Sequence, residues 1–172
     1  MNEESSSQNV SGVFIASYLR HAWDDLEDSK RLAGRHNESY HAQQAAEKFI
    51  NAILVSEDIH PNSREIGHSL VSRVSLIPDE NPWKRHLQQI SFLENYATTT
   101  RYPRSTTGRV NRIADTAVFK VRAARDKLEK MILAASVHYR VKLDFYLDEP
   151  AQNTSPYRFG HGREPSTPAH KP

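Results

Sequence analysis

Residues 39–55, SYHAQQAAEKFINAILV, set Ala42, Ala45, Ala46, Phe49, Ile50 and Ile53 at steps of three and four. An α-helix turns about 100° per residue, so that spacing lines all six side chains along one face, whereas a strand would divide them between two faces. The same period recurs elsewhere. Val13, Ile15, Leu19, Ala22, Leu26 and Ala33 mark a first helix that Gly34 ends. After the helix at 39–55, a short third helix is capped by Asn62 with Glu65 at its third position, and carries Ile66, Leu70, Val74 and Ile77 up to Pro78. Asn81 followed by Pro82 reads as the cap and first residue of a fourth helix, with Leu87, Ile90, Leu93 and Ala97 leading toward Tyr102 and a stop at Pro103. The fifth is the longest: Val110, Ile113, Ala117, Val121, Ala124, Leu128, Met131, Ile132 and Ala135 keep the stripe over about seven turns, and no proline interrupts residues 104–149. Only VKLDFYL, residues 141–147, suggests strand alternation, and it fits a frayed helix end equally well. The fold class is therefore all-α.

A chain of 172 residues with 37% hydrophobic content supports one buried core. We assign residues 12–147 to that helical domain. The acidic, polar residues 1–11 read as a disordered N-terminus. Residues 148–172, DEPAQNTSPYRFGHGREPSTPAHKP, read as a disordered tail, being rich in proline and small polar residues. The chain has no cysteine, which excludes disulfides, thiolate metal sites and cysteine nucleophiles. The opening MNEESSSQNVSG lacks the basic start and apolar run of a secretion signal, and no later apolar run approaches the roughly 20 residues of a membrane span. The expectation is a soluble, cytoplasmic protein.

Charge is distributed unevenly. Residues 1–100 hold 9 basic and 14 acidic side chains, residues 101–142 hold 11 and 3, and residues 143–172 hold 3 and 4, so the nets are −5, +8 and −1. The densest part is RYPRSTTGRVNR, residues 101–112, with four arginines and no acid. In a helix over 109–135, Arg109, Arg112, Thr116, Lys120, Lys127 and Lys130 fall on successive turns of one face, and Arg122 with Asp126 has i, i+4 spacing. Arg101 and Arg104 then stand near the helix N-terminus, whose free N–H groups also favour an anion. Such a block suits a phosphate-bearing ligand, nucleic acid or an acidic protein face. It also suits a solvated helix face neutralised by the acidic first half.

Four stretches carry a family resemblance. AWDDLEDSKRLA, YHAQQAAEKFINAIL, GHSLVSRV, and LENYATTTRYP followed by a long helix are similar, in order and spacing, to the HEPN domain over roughly residues 12–140. The resemblance implies an up-and-down bundle of about five helices, usually a homodimer. The family includes toxin-like ribonucleases, partners of small nucleotidyltransferases in toxin–antitoxin modules, and domains that bind nucleotides without cleaving anything. Its ribonucleases carry an arginine and, after four to six intervening residues, a histidine late in the bundle, the arginine holding the scissile phosphate and the histidine moving a proton. This chain departs from that pattern. The positions that follow Arg101 at that spacing are Thr106, Thr107 and Gly108, and those that follow Arg104 are Arg109, Val110 and Asn111. The spacing occurs at Arg31 to His36, Arg35 to His41 and Arg163 to His170, in the first interhelical loop and the tail, as chance allows with 15 arginines and nine histidines.

The expected ligand-binding residues are accordingly Arg101, Tyr102, Arg104, Arg109, Arg112 and Lys48, with no catalytic residue and no cofactor. The alternatives are a metal-independent ribonuclease in which His41 reaches Arg101 or Arg104 across the bundle, and a structural subunit serving a nucleotidyltransferase. His41, Gln44, Lys48 and Asn51 share a polar face of the second helix, which lines a cleft or is its wet side. Glu47 and Lys48 match the family's EK pair as helix-to-helix polar contacts. His68 matches a histidine that opens the family's third helix, and Tyr96 and Tyr102 are packing residues near the turn, although a tyrosine there also suits base stacking. His36, His41, His60 and His68 lack the i, i+4 spacing of two ligands on one helix, so no metal site is assigned.

Overall fold

In the computed structural model, the described residues are 3–35, 37–61, 69–99 and 115–143. Helix α1 spans Glu3–Arg31, α2 Glu38–Ser56, α3 Leu70–Leu76, α4 Lys84–Ile90, α5 Glu94–Thr99 and α6 Asp115–His138, and a 3₁₀ turn, Ser91–Leu93, joins α4 to α5. Counting α4, the turn and α5 as one interrupted element gives five helices among the described residues, the number expected. No strand occurs among the described residues.

The bundle is organised around α2. Its six predicted apolar residues are all fully buried, together with Ala52 and Leu54. Ile15, Leu19, Ala22 and Leu26 of α1 pack on one side, Leu70, Val74, Leu87, Ile90 and Leu93 on another, and Val121, Ala124, Leu128, Met131, Ile132 and Ala135 of α6 complete the same core. Burying that set supplies the main driving force for folding. α1 runs antiparallel to α2: the Ser29 hydroxyl donates to the Glu38 carbonyl at 2.9 Å, and Asp25, a turn earlier, meets His41 and Lys48 further along α2. α6 runs parallel to α2, because Arg122 and Arg125 meet Glu38 at its start while the Tyr139 hydroxyl donates to Ser56 at its end, at 2.9 Å.

Several boundaries differ from the periodicity. α1 begins at Glu3, inside the segment read as a disordered N-terminus. Residues 3–9 hold no apolar side chain, so periodicity could not extend the helix there, whereas propagation from an existing helix adds residues at low cost. Val13 and Ala33, read as stripe residues, are exposed. Val13 is 64% accessible; it lies two residues before the buried Ile15, about 200° round the helix and so on the opposite face. Gly34 ends α1 with φ +79° in the turn that leads to α2.

The fourth helix starts at Lys84, yet Asn81 still acts as a cap, its side-chain oxygen accepting from the Trp83 N–H at 2.9 Å. The short third helix is capped by Ser69, whose hydroxyl accepts from Ser72 N–H. The proposed cap Asn62, with Glu65, Ile66 and His68, lies outside the described residues, as do His36, residues 100–114 and the tail. Two helix ends among the described residues place a residue other than glycine in the left-handed conformation. After α2, Asp58 takes φ 57°, with Ile59 N–H bonded to Leu54 O and Asp58 N–H to Val55 O; after α6, Arg140 takes φ 55°, with Val141 N–H bonded to Ser136 O and Arg140 N–H to Val137 O. Both are Schellman ends, which satisfy the last carbonyls.

Candidate functional site

Lys48 and His41 converge on one carboxylate. His41 and Lys48 lie seven residues apart on α2, two turns along one face. Asp25 of α1 stands between them: its Oδ1 accepts from His41 Nδ1 at 3.0 Å and its Oδ2 accepts from Lys48 Nζ. The Asp25 side chain is only 13% exposed, and those of His41 and Lys48 are 23% and 31% exposed. The Lys48 ammonium and the His41 N–H therefore satisfy a largely buried carboxylate. Sequence reasoning named His41 and Lys48 but missed Asp25. A signal existed, since Asp25 follows Ala22 by three and precedes Ser29 by four, and both of those are fully buried. An acid flanking a buried stripe calls for a partner.

A carboxylate on Nδ1 requires that nitrogen to carry the proton, which leaves Nε2 as the free lone pair. His41 Nε2 makes no hydrogen bond among the described residues, and the Tyr40 ring lies edge-on to the imidazole at 5.3 Å. The arrangement can move a proton. Beside it, burial holds the Asp24 carboxyl above its ordinary value, helped by Asp25 and Asp28 and opposed by His21 and Lys48.

The opposite flank of α2 is a closed network. Arg73 of α3 is 4% exposed; it donates to Asn51 Oδ1 and lies 3.6 Å from Glu47 Oε1. Gln43 Nε2 donates to Glu47 Oε2 at 3.0 Å and Gln44 Nε2 to Gln43 Oε1 at 2.7 Å. Glu47 and Lys48 thus both bridge helices, to α3 and to α1. Asn51, expected on the same polar face as His41, is 7% exposed and belongs to this network instead. A periodicity that separates apolar from polar residues does not separate wet polar residues from internally paired ones.

The start of α2 holds a third group. Glu38, 4% exposed, accepts from Arg122 Nε at 3.3 Å and Arg125 at 3.2 Å on α6, and from the Gly34 N–H at 2.6 Å. Arg122 therefore does not form the expected i, i+4 pair with Asp126; Asp126 lies 3.6 Å from Arg125. The buried carboxylate outcompetes the exposed one because an unpaired charge inside costs several kcal/mol (roughly), and one in water costs little. On the other side of α6, Lys120 and Lys130 are exposed, while Lys127 donates to Gln89 of α4. Tyr96 packs against the core with its ring 6.4 Å from Phe92.

Five of the expected ligand-binding residues, Arg101, Tyr102, Arg104, Arg109 and Arg112, lie outside the described residues. No helix among the described residues is long and apolar enough to cross a membrane, and no group of three or more His, Asp or Glu among them could hold a metal ion. Compared with known proteins, the chain matches the family model of the HEPN domain over residues 15–135. No curated protein and no solved structure matches it.

Proposed function

The chain belongs to the HEPN domain family, and on that premise we propose that it is a member that binds phosphate, carried by a nucleotide or by RNA, without cleaving it. The observation that carries this reading is the pairing of cations. Arg122, Arg125, Arg73, Lys48 and Lys30 each meet a carboxylate within the bundle. Residues 101–112 contain four arginines and no acid of their own, and the family's arginine–histidine spacing is missing from that stretch. Basic side chains are densest in the sequence at Arg101, Arg104, Arg109 and Arg112, and guanidinium forks suit phosphate oxygens. Tyr102 lies within the same run, and Lys48 is secondary because Asp25 already holds it. In this reading the protein works as a homodimer and as a component of a toxin–antitoxin-like module with a nucleotidyltransferase partner.

Charge reversal at Arg104 and Arg109 tests it. Each lost charge-assisted contact costs about 1.5–3 kcal/mol, so the double variant should bind a nucleotide or short RNA at least about a hundredfold more weakly, with its circular dichroism unchanged. Affinity for RNA should also fall steeply with added salt as counterions are released. Wild-type affinity in the double variant at moderate salt would reduce the cluster to a solvated face, and binding of an acidic protein in place of phosphate would reassign it.

One contact favours a second reading, a metal-independent endoribonuclease with displaced residues. Asp25 holds His41 in the tautomer that leaves Nε2 basic, and a phosphate held by Arg104 would supply the other half of the chemistry. RNA cleavage in the presence of a chelator, abolished by His41→Ala and retained by Arg35→Ala, would establish it. Absence of cleavage with intact binding supports the first reading.

A further inference from the structure

Phe119 is the most exposed aromatic residue among those whose side chains are described, at 72% accessibility, one turn into α6. Its neighbour two positions on, Val121, is buried in the core, so the ring points away from the bundle. An exposed phenylalanine adds little burial to the fold, and its ring is open to a flat partner. Its surroundings are cationic. Lys120 is exposed and makes no ion pair among the described residues; Arg122 is fixed by Glu38 through Nε, yet its side chain remains 40% exposed. Ala123, one turn on, is exposed and small, leaving the ring face open. Lys130 continues the same face about 16 Å further along the helix, and the charge of Asp126 between them is offset by Arg125 at 3.6 Å. Phe14, half exposed on α1, provides the contrast: it sits among Gly12, Val13, Ser17 and Tyr18, with no cation within a turn.

We infer that Phe119, beside the exposed Lys120, is a stacking platform for a base of single-stranded RNA, with Lys120 taking an adjoining phosphate. Aromatic rings interleaved with cations hold single strands in this way, because every base has a π-face and every linkage a charge. An acidic protein face would use the cations and leave the ring without a flat partner. The inference rests on the phosphate-binding reading and sharpens it, since phosphate alone would satisfy Arg104 and Arg109 but gives Phe119 nothing to stack on.

The test uses the full chain with two probes, a short uridine oligomer and inorganic polyphosphate of similar charge. Phe119→Ala should weaken the oligomer roughly five- to a hundredfold and leave polyphosphate affinity unchanged, while Phe119→Tyr retains binding. In Phe119→Trp, the oligomer should quench the new indole fluorescence and polyphosphate should not. Equal affinity of Phe119→Ala and wild type for the oligomer overturns the inference while polyphosphate binding keeps the phosphate reading intact. Failure of the wild type to bind either probe removes both. A change in sedimentation of Phe119→Ala with unchanged oligomer affinity also overturns it and makes the ring a contact between copies of the chain.

Discussion

Where α6 faces α1 and α2, its charges are spoken for: Arg122 and Arg125 share the buried Glu38, and Glu129 takes Lys30 of α1 at 2.6 Å. Where it faces outward, Lys120 and Lys130 make no ion pair among the described residues, and Phe119 lies open beside them. The residue types are similar and the helix is the same. Burial makes the difference, since a charge removed from water must be matched by an opposite charge, and one left in water need not be. A run of basic residues is thus two populations, one that clamps helices together and one that remains available for a ligand.

The sharpest way to break this contrast is Glu38→Ala. It leaves two guanidinium groups facing each other at a buried junction and frees the Gly34 N–H, so urea unfolding should show a loss of about 3–5 kcal/mol. A loss below about 1 kcal/mol would mean that the inner arginines are as independent as the outer lysines.

Lys30 offers an intermediate case. Its ammonium bridges Glu27 at 2.8 Å and Glu129 at 2.6 Å and lies 5.2 Å from the centre of the Trp23 ring. Burial pushes its pKa down, but the hydrogen bonds to Glu129 and Glu27 and their charges outweigh burial and raise it above the ordinary lysine value. A raised folded value means that the stabilisation is complete below the ordinary lysine pKa and disappears as pH climbs through the higher folded one. Lys30→Met should therefore cost about 1 kcal/mol at neutral pH, the figure being discounted for partial exposure. The gap between wild type and variant should narrow in strong alkali. A gap that stays constant across that range would assign the effect to packing on Trp23 instead.

At the outer face the expected effect is smallest. Lys120→Gln and Lys130→Gln should each change stability by less than about 0.5 kcal/mol in the same unfolding measurement. A larger loss would show that the outward cations are structural too, and would weaken their reading as ligand contacts.

The apolar spacing determined by itself that the chain is helical and that Ala42, Ala45, Ala46, Phe49, Ile50 and Ile53 form the centre of the core. Those properties depend on residues three and four apart, which lie within reach of one another on any helix. Only the tertiary structure decided which charges meet. Glu38 finds Arg122 and Arg125 across 84 and 87 residues of sequence, Asp25 gathers His41 and Lys48 from a second helix, and Asn51 is drawn inside by Arg73. Helix ends followed the same division: Gly34 was legible as a stop, whereas Asp58 and Arg140 take the left-handed conformation at helix ends without a glycine to mark them. Hydrophobic burial repeats along the chain and can be read from its period. A buried charge is stabilised by a particular partner at a particular distance, and that partner is fixed only when the helices have packed.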